Sequence, residues 1–589
     1  ENVVILKYLL ISKHIEGING LDCVNSTSKI KIRDKSGTFI GMRMGRPEKA
    51  KLRKMKGSPH VLFPVGAEGG RLRSFQAALK SGSVNTDWPI FECQECRRQT
   101  IYPVCEVCGK KTTAWRICPT CKKKTRKTKC HTETKTYERK KLDVKHHWRH
   151  TLKQLKISNP PPLIKGVRGT SNKDHYPEHL AKGVLRAKHN IYVNKDGTVR
   201  YDITEMGCTH FKPKEIGTSI DKLKELGYTK DIKGKTLENE NQTLEIFPQD
   251  VILPKCPEAK EDGADTVLHK VSKFVDEELK LLYSAESFYN LTKPSDLIGH
   301  LIIGLAPHTS AGIVGRIIGF SETQGCFSHP YWHAAQRRNL DGDETCVILL
   351  MDAFLNFSRQ YLPDRRGGRS MDAPLVLTTV LIPSEVDSEV HNLDIIDKYP
   401  LEFYKAAQEC KSPFKIKIKT IKKVLGTSTQ YEKMSYTHES KDMNAGVRFS
   451  AYKAIPTMVE KLEGQIDLAA KIRAVDLSKV AALVINKHFL RDIKGNLRKF
   501  TKQQFRCTTC NEKYRRPPLA GNCKCGGKIV YTIAEGTIKK YLEPSLKLVK
   551  YDGVPAYMKQ TMDLLKRRIE SIFGKEKTKQ IGLGGFIAK

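Results

Sequence analysis

The chain has 589 residues, with 103 Lys and Arg against 64 Asp and Glu, for a formal net charge of +39. Hydrophobic residues at 39% and aromatic residues at 8% are too abundant for a disordered polycation, and the length allows about four domains with cores of their own. So large a positive field on a folded surface is out of place in an enzyme of small metabolites; it points to a polyanionic partner, nucleic acid ahead of an anionic membrane.

Segment 1–90 combines an apolar helical stretch (Val3 to Ile11), strand-like alternation at Ile30–Ile32 and Phe39–Met42, and the basic run from Gly45 to Lys56. It opens on Glu1-Asn2, without a basic n-region or cleavage site, so no signal peptide is predicted; the missing Met suggests a fragment or a processed piece.

Residues 91–132 form a cysteine module. Cys93, Cys96, Cys105 and Cys108 make two C-x2-C pairs, each a tight turn aiming two thiolates at one ion. Cys118, Cys121 and Cys130 repeat the rhythm, but Glu133 stands where a fourth ligand is expected and His131 is the nearest substitute. Exchanged pairings between the two half-sites are equally compatible with the spacing.

Segment 133–296 reads as a basic linker and α+β accessory region, with Pro160-Pro161-Pro162 as a boundary. Ile191 and Val193, the Asp196-Gly197 turn and then Val199, Tyr201 and Ile203 predict a β-hairpin. Leu268, Val271, Val275, Leu279 and Leu282 carry the spacing of an amphipathic helix.

Segment 297–430 is the least polar. The run Leu297 to Phe320 is long enough for a bilayer, but His300, Pro307, His308 and Arg316 interrupt it, and an Arg at mid-span costs about 3 kcal/mol. It is predicted to be a buried strand pair or helix-turn-helix, which leaves no membrane anchor. An α/β connecting region (431–504) precedes a second cysteine module (505–535) and a final segment (536–589) with a charged helix, Ala556 to Phe573, and a Gly-rich tail. Cys507, Cys510, Cys523 and Cys525 form the second module's site, flanked by Arg506, Lys513, Arg515 and Arg516. Clustered C-x-x-C pairs without a secretory signal predict two or three Zn²⁺ sites in a reducing cytosol. Four-thiolate sites keep no open position, so these are structural staples.

The segment Ser328 to Glu344 is the most informative. Asp341 and Asp343 are two apart, so an extended loop projects both carboxylates the same way, and Gly342 lets the backbone bend close to a ligand. Two convergent carboxylates in a basic protein suit Mg²⁺, which takes one or two carboxylates plus water and phosphate oxygens. An acidic β-turn and an Arg–Asp ion-pair cluster are the competing readings. An EF-hand loop starting at Asn339 fails, having Glu344 at its sixth position and Leu350 at its twelfth. The neighbours His329, His333, Arg337 and Arg338, and the apolar strand Cys346 to Met351, favour the metal site. Asp364-Arg365-Arg366-Gly367-Gly368-Arg369 is a basic Gly loop suited to phosphates, or equally a helix C-cap.

The string HPYWHAAQRRNLDGDE, with GHLIIGLAPHTSAGIVGRIIGF before it and DRRGGRSMDAPLVLT after, closely resembles the large subunit of the archaeal family D DNA polymerases. KIRDKSGTFIGMRMGRPEKAKLRKMK, HVLFPVGAEGGR and THFKPKEIG extend the resemblance over nearly the whole chain, as the C-terminal half of such a subunit. The resemblance implies an α+β multidomain fold with a catalytic core of two double-psi β-barrels and zinc-binding inserts: part of the first barrel in 1–90, the second in 297–430. It implies Asp341 and Asp343 as catalytic Mg²⁺ ligands with Asn339 beside them, and Lys49, Lys51 and Lys54 in the motif that supplies facing lysines. Leu340 departs from the small residues usual there, with its side chain expected to face away from the acids. Arg337, Arg338, Arg365, Arg366, Arg369, His329 and His333 are the expected nucleic-acid contacts, with a satisfied core role as the competing reading for the two histidines. The implied reaction adds deoxynucleoside triphosphates to the primer 3′ end of primer-template DNA in the archaeal cytoplasm, at the nucleoid. The implied partners are a small exonuclease-type subunit and the missing N-terminal half. Gln580, Leu583, Phe586 and Ile587 in the tail resemble a sliding-clamp-binding peptide. A non-catalytic zinc-stapled scaffold and a barrel-type RNA polymerase are the alternative functions.

Overall fold

The structure is a computed structural model. It describes residues 57–170, 174–306, 311–361, 375–409, 415–435, 442–450, 455–472, 475–508, 512–531 and 533–574, with residues 22, 25, 26, 55, 309, 411 and 412. The chain divides into two compact units, one of residues 52–450 and the other of 1–51 with 451–589.

In the larger unit, α1 (Phe75–Ser81), capped by the Ser74 hydroxyl, leads into β1 (Ser83–Pro89). The first cysteine module is an insert between β1 and its partner. β2 (Phe91–Cys93) is flanked by β3 (Gln99–Thr100) and β4 (Thr112–Ala114), and β5 (Arg116–Ile117) pairs with β6 (Lys124–Thr125). β7 (Tyr137–Asp143) then returns antiparallel along β1, from Ser83↔Asp143 to Pro89↔Tyr137. α2 (Val144–Leu155) starts at once, with the Asp143 carboxylate accepting the Lys145 N–H at 2.8 Å. α3 (Leu180–Lys188) is buried on nearly all sides.

The predicted hairpin at 191–203 is only half present. Its turn exists, with Gly197 at φ +89° and the Asn194 amide donating to the Thr198 carbonyl. The first arm docks elsewhere, because the Val193 amide donates to the Pro59 carbonyl. The return becomes β8 (Tyr201–Gly207), a strand of the large sheet. β9 (His210–Phe211) pairs with β10 (Leu244–Glu245) in a side layer, and β11 (Asp250–Pro254) is buried throughout. The expected amphipathic helix is α4 (Ala264–Leu282), which buries Leu268, Val271, Val275 and Leu279.

The apolar run is a strand pair: β12 (Leu301–Leu305) runs antiparallel to β13 (Ala311–Ser321). Arg316, which breaks its hydropathy, is satisfied by both oxygens of Asp250, each at 2.8 Å, and Tyr228 donates to the same carboxylate at 2.6 Å. β14 (Gly325–Ser328), α5 (Pro330–Ala335), β15 (Asp341–Leu349) and α6 (Leu350–Asn356) follow. Strand order β11-β14-β8-β15-β12-β13, with β13 pairing back to β11 from Asp250↔Arg316 to Pro254↔Ser321, closes a six-stranded ring; β16 (Val376–Thr378) adds to β13. Two of the ring's strands, β8 and β11, come from the segment 133–296 expected to be accessory. Ring closure needs long-range partners that local patterning does not announce.

Helix α5 is anchored in this ring by Trp332. Its indole packs on two glycines of the strand pair, where a Cβ at Gly304 would lie 2.5 Å from Cη2 and one at Gly315 2.8 Å from Nε1. The indole N–H donates to the Val314 carbonyl at 3.3 Å.

The described residues of the smaller unit are mainly helical: α7 (Met458–Lys471), α8 (Leu477–Val484), a π-helical turn over Ile485–Phe489, and α9 (Leu490–Thr501). The second cysteine module is a three-stranded sheet of β17 (Phe505–Cys507), β18 (Lys513–Tyr514) and β19 (Ile529–Tyr531), with β17 central. α10 (Leu542–Leu548) and α11 (Ala556–Phe573) complete a core around Leu462, Phe489, Ile493, Met562 and Ile569. The charged helix expected over Ala556 to Phe573 has those bounds. No helix among the described residues is long and apolar enough to cross a membrane.

Candidate catalytic loop and metal centres

The acidic loop joins α5 to β15. Pro330 opens the helix, and the His329 ring accepts the Tyr331 N–H at 3.1 Å as its N-cap. Beyond Gln336 the chain turns at Arg337, in the left-handed region at φ +58°, and enters β15 at Asp341. Asp341 pairs with Met206 of β8, but Glu344 pairs with Thr204. Three steps along β15 thus match two along β8, and the extra residue is a β-bulge. Gly342, at φ +96°, supplies the backbone conformation the bulge requires. Regular alternation therefore does not run from Asp341 to Glu344: the bulge, not the two-residue spacing, sets how the loop presents its acids.

Asp343 is half-buried, and its Oδ2 accepts the exposed Asn339 N–H at 3.3 Å, folding the carboxylate back over its own loop. Leu340 packs against the core, its methyls 3.6 Å from where a Cβ on Gly207 would stand. Below the loop, Thr345 donates to the Gln336 side chain at 2.6 Å, tying β15 to the end of α5.

His329 and His333 depart from the expected nucleic-acid surface. Both are wholly buried, because α5 turns them into the ring, where they cap and brace the helix. Burial holds the His329 imidazole down at about 3. His333 Nε2 lies 3.0 Å from the Ser328 hydroxyl and 3.1 Å from the Met206 carbonyl, and Nδ1 lies 3.3 Å from the buried Glu205 carboxylate. Arg337 is exposed and donates to the Glu385 carbonyl at 3.1 Å, while Arg338 is half-buried. Lys49, Lys51 and Lys54, Arg365, Arg366 and Arg369, Cys510, and the tail residues Gln580, Leu583, Phe586 and Ile587 lie outside the described residues, as does the Asp341 side chain.

Glu205 is a buried residue beside the loop that sequence reading passed over. It is 0% exposed on β8, opposite the bulge. A signal existed: it continues the core-facing alternation of Tyr201 and Ile203. Burial pushes its carboxyl up, His333 opposes this, and the nearby Asp343 charge adds to it.

The cysteines gather as sequential groups, not exchanged ones. Cys93, Cys96, Cys105 and Cys108 bring their sulfurs within 4.8 Å of one another, and Cys118, Cys121 and Cys130 do so with a ring nitrogen of His131. A tetrahedral Zn²⁺ about 2.3 Å from each sulfur would space them by about 3.8 Å, so both groups have the donor set and spacing for zinc. The His131 Nδ1 lies 3.3 Å from the Cys130 sulfur and 3.9 Å from that of Cys118, which fills the missing fourth position. The Cys121 backbone N–H, with that of Thr120 and the His131 ring, holds the Cys118 thiol down at about 4, ready as a thiolate. Cys507, Cys523 and Cys525 form a third group. The first module is braced by Glu106, which lies between two of its cysteines: its carboxylate accepts from Thr100 and meets the His146 Nε2 of α2 at 3.0 Å.

Residues 157–461 match the family model described as DNA polymerase II large subunit DP2, catalytic domain, and residues 4–142 match its central domain. The DNA polymerase II large subunit of Nanoarchaeum equitans is 48% identical over 606 residues, covering 95% of this chain and 49% of that protein. Those of Archaeoglobus fulgidus and Pyrococcus furiosus are 47% and 46% identical, covering 97% and 94% of this chain and 51% and 44% of their own lengths. The chain thus spans about half the length of the curated relatives it matches. The acidic loop falls within the catalytic-domain match and the first two zinc groups within the central-domain match.

Proposed function

The chain belongs to the family of DNA polymerase II large subunits, DP2, and from that membership we propose that it carries the catalytic centre of a DNA-dependent DNA polymerase. The observation that carries this reading is the bulged loop 339–343, mounted on a closed ring and backed by a helix locked in by Trp332. On this reading the ring is the double-psi barrel that bears the acids, and Lys49, Lys51 and Lys54 supply cations to the same reaction.

Asp341 and Asp343, with Asn339 beside them, hold Mg²⁺ through carboxylate oxygens, a donor set suited to a hard cation that keeps water and phosphate ligands. Held there, Mg²⁺ would supply a lowered pKa for the primer 3′-hydroxyl and neutralisation of charge on the α-phosphate. The three lysines pair with triphosphate or primer phosphate oxygens as point charges, and Arg337, Arg338, Arg365, Arg366 and Arg369 grip backbone phosphates. Zn²⁺ in the cysteine groups is structural, holding inserts too small to fold on their own cores. The tail docks on a sliding clamp. A small exonuclease-type subunit and the half of the family's length beyond this chain complete the enzyme, which works in the cytoplasm.

Primer extension by the complex reconstituted with its small subunit tests the reading. Asp341→Asn with Asp343→Asn should abolish nucleotide addition while leaving DNA binding in place. Extension that survives the double change would make the chain a DNA-holding scaffold, and efficient extension on ribonucleotides alone would make it an RNA polymerase.

A further inference from the structure

Segment 337–344 carries Asn339 and both acids of the loop, and one side-chain hydrogen bond spans its base. The residue before it, Gln336, closes α5, its N–H returning to the His333 carbonyl at 3.0 Å. The residue after it, Thr345, is the partner of Ile203 on β8. Both are buried, Gln336 at 3% exposure and Thr345 at 0%, and the Thr345 hydroxyl donates to Gln336 Oε1 at 2.6 Å. The other end of the amide fixes its orientation. Gln336 Nε2 lies 3.4 Å from the Trp332 carbonyl, which only accepts, so the nitrogen turns there and the oxygen turns to Thr345. The hydroxyl's other acceptors, the Leu305 and Cys346 carbonyls, stand at 3.4 and 3.5 Å, too far to compete.

Packing holds the amide in place. A Cβ on Gly304 of β12 would stand 2.9 Å from Gln336 Nε2 and 2.5 Å from the Trp332 ring, so one glycine seats both side chains. Between Gln336 and Thr345 the backbone is irregular: Arg337 is left-handed, and the bulge breaks the β8 ladder between Asp341 and Glu344. No repeating structure therefore sets how far apart the two ends of the segment stand. Apolar side chains could fill the space of Gln336 and Thr345 at little cost in stability, since replacing both partners of a buried hydrogen bond is often nearly neutral. Apolar packing is non-directional, however. A short O–H···O bond is directional, and it fixes both the separation and the twist of the two ends.

We propose that Gln336 and Thr345 are positioning residues of the acidic loop: their hydrogen bond closes the base of segment 337–344 and sets the spacing at which the loop offers its carboxylates to a divalent cation. Neither side chain touches the cation. The inference rests on the reading of Asp341 and Asp343 as metal ligands.

The test is Mn²⁺ titration of the zinc-loaded 589-residue chain, followed by electron paramagnetic resonance, so that no turnover is needed. Thr345→Val keeps shape and removes the hydroxyl; it should weaken Mn²⁺ binding about tenfold, as changes behind metal ligands do. It should also lower the melting midpoint, because the Gln336 oxygen is left buried and unpaired. Thr345→Ser keeps the hydroxyl and should bind Mn²⁺ nearly as wild type does. Gln336→Met combined with Thr345→Val removes the orphaned oxygen, so the midpoint should return toward wild type while Mn²⁺ binding stays weak. A packing role alone would restore both together, and wild-type Mn²⁺ affinity in the folded double variant overturns the proposal. Equal loss in Thr345→Ser and Thr345→Val does the same. If Asp343→Asn leaves Mn²⁺ binding untouched, the reading of the loop as a metal site fails and the proposal falls with it. Sensitivity to Asp343→Asn but not to Thr345→Val sinks the positioning pair alone.

Discussion

The Trp332 indole lies so close to Gly304 that a Cβ at that position would stand 2.5 Å from Cη2. This one approach seats α5 in the ring, and α5 carries the acidic loop. Gly304→Ala should therefore destabilise by about 1–3 kcal/mol, the usual cost of overpacking. It should also lower primer extension, because the indole can move only by tilting its helix. Gly464→Ala on α7, where a Cβ meets nothing within 4 Å, is the control and should stabilise by about 0.5–1 kcal/mol. Denaturant midpoints measure both. A Gly304→Ala chain as stable and active as wild type would show that α5 is not anchored this way.

At Gly342 the constraint is conformational. A Cβ there would find its nearest atom, Thr204 Cγ2, at 3.8 Å, yet the backbone stands at φ +96°. Gly342→Ala should thus cost about 1–3 kcal/mol of local strain, expressed as a shifted loop. We expect Mn²⁺ affinity and extension to fall more than the melting midpoint does. Gly342→Asn should be milder than Gly342→Val, since Asn tolerates positive φ and a β-branched residue does not. The reverse order would mean that backbone conformation is not what Gly342 provides.

Three metal groups predict three zinc ions per chain, the second held by three thiolates and His131. His131→Ala should release one zinc of the three, and His131→Cys should retain it as a four-thiolate site. Metal content by mass spectrometry after gel filtration decides the matter; three zinc ions retained by His131→Ala would remove His131 from the ligand set.

How much of this was legible depends on the range of the interactions. The zinc groups and α4 follow from spacings of a few residues, and Gly342 declares itself by standing between two acids. The bulge does not, because it exists only against β8, whose Thr204 and Met206 are more than a hundred residues upstream. The same distance hid Glu205, which offers no cue beyond alternation. Ile191 and Val193 have strand-like spacing, but the Pro59 carbonyl takes the Val193 amide and the Arg186 carbonyl takes that of Ile191. His329 caps α5 and His333 lies within it, and only the ring around α5 decides that both are interior.

Acid should destabilise the fold, and the direction follows from buried groups. Burial holds His60, His147, His179 and His210 down at about 4 and His329 at about 3. An unfolded chain titrates its histidines near about 6.5. As pH falls below that value the unfolded state takes up protons that the fold refuses, so stability is lost between about 6.5 and 4. Asp352 runs the other way: burial pushes its carboxyl up to about 7, so the folded state takes the proton first. Its contribution falls as pH rises from about 4 to 7 and partly offsets the histidines in the same window. His329→Asn keeps an N-cap acceptor for the Tyr331 amide while removing one titrating group, so its stability should fall less steeply with acid than wild type. Asp352→Asn removes an opposing group and should steepen the fall. Denaturant midpoints for the three proteins at about pH 7 and about pH 5 give the slopes. A His329→Asn slope as steep as wild type would mean that His329 is charged, and therefore solvated, in the folded protein.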